Sequence, residues 1–209
     1  MNNVLKIFFL VLFITLTSCA SKVEINPVVN VSTPSGLKKI KGKYAGYVQT
    51  GGWQLESKAD GWNCSAWTFD VDVNQVFSNG MTQLLNNSFE DIKIYSKVLS
   101  KEELKNGNYI AQVSILQSNA TASFIATPGF FTNKIESKVF LNTIVSALGN
   151  SGLQFQNNVD SNGIGMNSSW GCDAAEGTQI AVDQAVSKIT EIGALYIREG
   201  VRSVQDNSN

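Results

Sequence analysis

A nearly unbroken apolar run, Ile7 to Leu16, stands near the head of the chain and constrains where and how the remainder can fold. It is about ten residues long, too short to span a bilayer and suited to the apolar stretch of an export signal. One positive charge, Lys6, precedes it, and the small and polar residues Thr17, Ser18, Cys19, Ala20 and Ser21 come after it. Residues 1–18 therefore read as a signal peptide, and the rest as a chain that folds where thiols oxidise. Taking 18 residues from 209 leaves 191, which suits one domain with a tether. With 43% hydrophobic and 16% charged residues, that domain has the material for a packed core.

The stretch Leu16-Thr17-Ser18-Cys19 resembles the lipobox of bacterial lipoproteins. The resemblance implies a diacylglycerol on the Cys19 thiol, cleavage just before Cys19 and acylation of the new amino group. The chemistry fits the residues, because a thioether requires a cysteine and small neighbours let the chain enter a peptidase. One acyl chain holds a protein to a membrane only marginally, whereas two or three hold it durably. Ala20, rather than aspartate, comes next after the cysteine. In enterobacterial lipoproteins this resembles the signal for transfer to the outer membrane. The expected location is thus the outer membrane, lipid-anchored and facing the periplasm.

With Cys19 assigned to lipid, Cys64 and Cys172 remain, 108 positions apart, in the echoing contexts Trp62-Asn63-Cys64 and Trp170-Gly171-Cys172. Two remaining cysteines in an oxidising compartment predict one disulfide. The expected bridge joins the loop before the first helix to the start of the last helix.

Several function classes are excluded or disfavoured. The chain has no histidine, so neither a Ser-His-Asp nor a Cys-His site can form, and the commonest metal ligand is missing. Beyond residue 18, 15 Lys and Arg stand against 17 Asp and Glu, a formal charge of −2. That balance gives no basic face, so nucleic acid is not an expected partner. Asp70 and Asp72 form an Asp-x-Asp pair, but Asp72 reads better as a helix cap. Asp160-Ser161-Asn162-Gly163 resembles part of a calcium loop. It lacks the glutamate that such a loop carries at its twelfth position, and it reads as a hairpin turn. No cofactor, metal or catalytic residue is expected. Trp62, Trp67 and Trp170 lie near the cysteines and form a possible ligand surface, although shielding of the disulfide accounts for them more simply.

Residues 19–40 hold Pro27, Pro34, Ser32, Ser35 and Gly36 and read as the lipidated cysteine and its tether. A single domain is expected over 41–202, with a frayed tail at 203–209. The alternation in Lys41 to Gln49 predicts a strand. A helix is expected from Asp72, with Gln75 completing a capping box, and should end near Asn86-Asn87. Strands are expected at Phe89 to Ile94, Tyr109 to Leu116, Ala120 to Thr127 and Lys134 to Leu148, then as a pair turning at Asp160 to Gly163. The apolar face of Val182, Ala185, Val186, Ile189, Ile192 and Tyr196 predicts a helix from Ala174 to Gly200, with Gly200 just past its end. The expected class is α+β, a mostly antiparallel sheet with two helices packed on one face.

In layout this order is similar to small periplasmic lipoproteins of the YajG-like and lipopolysaccharide-assembly type, and to auxiliary lipoproteins of some transporters. The likeness spans Lys41 to Val201, and its one quotable motif is the lipobox. It implies a non-enzymatic envelope lipoprotein that docks on another envelope component as an assembly or accessory factor. The alternative is a periplasmic sugar- or peptide-binding domain, or a weakly hydrolytic one. A deep pocket lined by Trp62, Trp67, Asp70 and Trp170 would favour it.

Overall fold

The computed structural model describes residues 22–28, 38–61, 64–129 and 132–206. Eight strands form one sheet: β1 (Lys22–Ile25), β2 (Ile40–Val48), β3 (Gln54–Asp60), β4 (Thr68–Asp72), β5 (Phe89–Tyr95), β6 (Ala111–Pro128), β7 (Asn133–Gly149) and β8 (Gly152–Ser169). Its spine is the long antiparallel meander β6–β7–β8. The opposite edge of β6 is shared. Its first half pairs with β2, which carries β5 outside it, and its second half pairs with β3. β4 and then β1 continue outward from β3. The sheet therefore forks into two arms, and a register shift between Gln117 and Asn119 marks the fork on β6.

The period-two alternation of β7 explains the layering. Ile135, Ser137, Val139, Leu141, Thr143, Val145 and Ala147 are buried on one face, while their neighbours meet solvent. Two helices cover the buried face: α1 (Asn74–Ser88) and α3 (Ala175–Asp206). A third helix, α2 (Lys101–Asn106), links β5 to β6. From α1, Val76, Phe77, Met81, Leu84 and Leu85 enter the core. From α3, Val182, Ala185, Val186 and Ile189 do so at helical spacing. Two glycines on β8 let α3 come close. A Cβ on Gly163 would lie 1.8 Å from the Ala181 carbonyl oxygen, and one on Gly165 would lie 1.9 Å from that of Gly177.

The α+β class holds, but the sheet is mixed rather than mostly antiparallel. β1–β4, β2–β5, β2–β6 and β3–β6 are parallel pairs. Parallel neighbours need crossover connections, which α1 and α2 help supply. Three helices are present among the described residues, not two. The short α2 is marked by a capping box: the Ser100 hydroxyl accepts from the Glu103 N–H, and the Glu103 carboxylate accepts from the Ser100 N–H. The supposed turn at Asp160 to Gly163 lies inside the continuous strand β8. Its glycine serves close helix packing instead, and Asn142 on β7 donates to the Asp160 carboxylate across the ladder. The N-cap of α1 is Val73, one residue after the expected Asp72, whose Oδ1 accepts from the Asn74 N–H at 2.9 Å. α3 runs six residues past Gly200, because Val201 and Val204 are buried and Gly200 sits against Ala147 and Phe155. β1 lies within the stretch that reads as a tether.

Candidate functional site

Of the residues singled out by the sequence, Cys64, Cys172, Trp67 and Trp170 gather at one end of the sheet. Strand register identifies that end. Lys22 pairs with Thr68 and Thr68 with Lys58, while next along β3 Ala59 pairs with Phe124. Beyond Phe124, β6 ends at Pro128 opposite Asn133, which is itself opposite Ser169. The start of β1, the β3–β4 connection, the β6–β7 hairpin and the chain leaving β8 therefore lie together.

The Cys64–Cys172 disulfide ties two of these segments, with the Cα atoms 5.7 Å apart. Both cysteines are buried. The Cys64 N–H donates to the Gly61 carbonyl at 3.1 Å, and the Trp67 N–H donates to that of Cys64 at 2.9 Å. On the other side, Asn133 Nδ2 donates to the Gly171 carbonyl at 2.9 Å. Gly171 has φ +103°, a backbone conformation that favours glycine. The Asp173 carboxylate then accepts from the Ala175 N–H at 2.9 Å and caps the start of α3. On its Cys172 side the bridge lies just before α3, as the sequence suggests. β4 intervenes between Cys64 and α1, so the Cys64 side of the bridge anchors the β3–β4 connection rather than a helix.

Trp67 and Trp170 do not form one surface. Trp67 is half-buried and packs on the main core. Trp170 is 80% exposed beside the bridge. Trp62 lies outside the described residues, as do Cys19 and the Phe130-Phe131 pair of the β6–β7 hairpin.

A polar cluster that the sequence does not announce occupies the outer face of β1–β4–β3. Glu24, Asp70 and Glu56 sit side by side in register, an arrangement that repels unless neutralised. Lys22 offsets part of that charge, its Nζ lying 2.8 Å from Asp70 Oδ2 and 3.5 Å from Glu56 Oε2. Gln54 Nε2 donates to the same Asp70 oxygen at 3.0 Å. The Lys22 hydrogen bond, reinforced by that of Gln54, holds the Asp70 carboxyl below its ordinary pKa against the opposing effect of burial. The same contact with Asp70 raises the pKa of Lys22. Among the described residues, the small cavity here is lined by Glu24, Asn26, Gln54, Asp70 and Asp72, and by no tryptophan. Asp70 thus shares this cavity with neither Trp67 nor Trp170. Lys22 takes the place that a bound cation would occupy, and among the described residues no three metal-ligating side chains converge. The signal for this cluster is the four-residue alternation Lys22-Val23-Glu24-Ile25, too short to stand out beside the nearby prolines.

The second open surface is the face of β6–β7–β8 turned away from the helices. Thr121, Ser123, Lys138, Phe140, Asn162 and Ile164 line a shallow cavity of about 260 Å³ there. Ile125 and Met166, flanking Glu136 in one cross-strand row, are 39% and 64% exposed.

No family model matches the chain, and no curated protein matches it. Solved structures do. A Xanthomonas campestris protein described under the family DUF330 superposes with a TM-score of 0.52 at 8% identity, covering 89% of this chain and 98% of its own. The fold is shared; the sequence is not. A Helicobacter pylori protein described as a neuraminyllactose-binding hemagglutinin homologue matches at a TM-score of 0.46 and 6% identity, over 86% of this chain and 96% of that one. PelC from Paraburkholderia phytofirmans, solved as a dodecamer, matches at 0.29 and 13% identity, over 77% and 98%. The last two scores are too low for any inference. The first places the chain in an architecture also found in a bacterial protein.

Proposed function

We propose that this chain is a non-enzymatic bacterial envelope lipoprotein, exported, cleaved before Cys19, and held by acyl chains to the outer membrane on its periplasmic side. It acts as an assembly or accessory factor that docks on another envelope component. The observation that carries the reading is the buried disulfide between Cys64 and Cys172. Such a bridge belongs to an oxidising compartment, where an N-terminus with an apolar run and a lipobox would send the chain. The absence of histidine supports a role without acid–base catalysis. No helix among the described residues is long and apolar enough to cross a membrane, and a lipid anchor provides the attachment.

Mass spectrometry of the protein purified from membranes tests the anchor. The expected N-terminal residue is Cys19 bearing acyl groups, with residues 1–18 removed. Replacing Cys19 by alanine should leave an uncleaved precursor. A free Cys19 thiol, or cleavage at another position, rejects the reading. In vivo crosslinking with co-purification then identifies the docked component, and enrichment of a ligand-processing activity in place of a partner rejects the accessory role.

A further inference from the structure

We infer that the disulfide end of the domain rests on the lipid surface, with Trp170 in the headgroup layer of the bilayer. The inference deepens the lipoprotein reading and rests on acylation of Cys19.

The geometry begins with β1. Three peptide steps separate Cys19 from Lys22, the first residue of β1. At full extension they reach about 11 Å. The direction of β1 is set by its parallel pairing with β4, which places Lys22 beside Thr68. The chain thus enters the sheet at the end that holds the β3–β4 connection, the β6–β7 hairpin and the disulfide. The segment after β1 is held as well, since the Val28 N–H donates to Gln179 Oε1 on α3 at 2.8 Å and Gln179 Nε2 donates back to the Val28 carbonyl. β1 therefore leaves only a short leash, and the acyl chains lie within that leash of the disulfide end. Beyond the level of Phe124, β6 continues four residues to Pro128, about 13 Å at strand rise. The leash and this overhang are of similar length, so an anchored domain brings the overhanging loops to the headgroups.

The surface at this end suits that neighbour. Trp170 is 80% exposed, and an indole, apolar with one N–H donor, is the side chain that membrane interfaces collect. It is carried on a braced segment, next to Gly171, whose carbonyl Asn133 holds, and two residues before the bridge at Cys172. Lys58 and Lys134 are exposed close by, balanced by exposed Asp60 and Asp173. This mixed charge fits a zwitterionic headgroup layer and needs no anionic lipid. The opposite end, at the Gly149–Gly152 turn between β7 and β8, lies a full strand away, about 55 Å for the 18 residues of β8.

The test uses acylated protein purified from membranes and reconstituted in phosphatidylcholine vesicles whose acyl chains carry bromine, a contact quencher of indole. The expected result is a loss of tryptophan fluorescence relative to unbrominated vesicles. Trp170→Phe should abolish most of that loss. In the Trp170→Phe background, Ser151→Trp should add an unquenched emitter. Full quenching that persists in Trp170→Phe overturns the placement of Trp170, and quenching of the Ser151→Trp probe overturns the orientation. Mass spectrometry and vesicle flotation of the same preparation separate the two levels. Protein that is acylated, floats and is unquenched overturns the orientation alone. Protein that carries no lipid on Cys19 and does not float overturns the lipoprotein reading, and the orientation with it.

Discussion

The two ends of the fold are closed in different ways. Over β7 and β8, α3 lies on the sheet so closely that only glycine fits at positions 163 and 165, and the interface is mainly apolar, with a few buried hydroxyls such as those of Ser137 and Thr178. The arm β1–β4–β3 also buries one face, with Phe69 and Phe124 in ring contact at 4.4 Å. Its outer strand, however, is four residues long, and its outer face is a row of carboxylates bridged in part by Lys22. Packing holds the first region. Cross-links hold the second: a disulfide at the mouth, an ion pair on the face, and a glutamine bonded to the chain after β1. Burial scales with area, and a four-residue strand offers little of it, so the arm depends on point contacts that chemistry can switch off.

The largest expected effect falls on the arm. Replacing Cys64 and Cys172 by alanine removes a closure of 108 residues, worth up to about 4–5 kcal/mol in the chain-entropy model. Urea unfolding should show the loss, and hydrogen exchange should rise in β1, β3 and β4 before it rises in β7 and β8. Equal rises in both regions would break the comparison. Next comes the packed region. Gly163→Ala forces α3 off β8 and should cost about 1–3 kcal/mol, with faster exchange in α3 and β8 and an unchanged arm. A smaller loss is expected for Thr178→Val. The Thr178 hydroxyl donates to the Ala174 carbonyl at 2.8 Å and meets the buried Ser137 hydroxyl at 3.1 Å. Deleting it leaves Ser137 short of a partner, at a cost of about 1–2 kcal/mol, read as a lower thermal midpoint.

The smallest effect sharpens the comparison by its pH dependence. The folded carboxyl of Asp70 titrates below its ordinary value, so its contribution is present at neutral pH and is lost as the solution is acidified through the folded pKa. Lys22 titrates above its ordinary value. Its share is complete at neutral pH and disappears only as pH rises through the raised pKa. Asp70→Asn should therefore be slightly less stable than the parent at pH 7 and equal to it in strong acid. Fluorescence-monitored unfolding across that range checks this, and a gap that widens on acidification would contradict it.

What can be read from the sequence tracks how long each pattern runs. The stripe Val182, Ala185, Val186 and Ile189 repeats over several turns, and all four residues are buried. The alternation along β7 is equally sustained. β1 has two alternations within four residues, which prolines nearby outweigh. Gly163 misleads because a glycine in Asp-Ser-Asn-Gly signals a turn when only neighbours in sequence are considered, whereas Ala181 on α3 is what requires it. The tryptophans show the same limit: Trp67 and Trp170 flank the same bridge, but one faces the core and the other faces out. Which way each turns depends on the path of its loop, and composition does not encode that. Lys22 and Asp70, 48 positions apart, meet only once β1 has docked.

That docking has a consequence for the order of folding. Among the described residues β1 is the first strand to be synthesised, yet it pairs with β4, and the stretch just after it is clasped by Gln179 across 151 positions. Contacts so distant in sequence close late, since each must await the loop it spans. This early strand is thus among the last to settle. Until α3 exists, the N-terminal strand has no clasp, and the arm is the part of a nascent chain most open to chaperones and proteases.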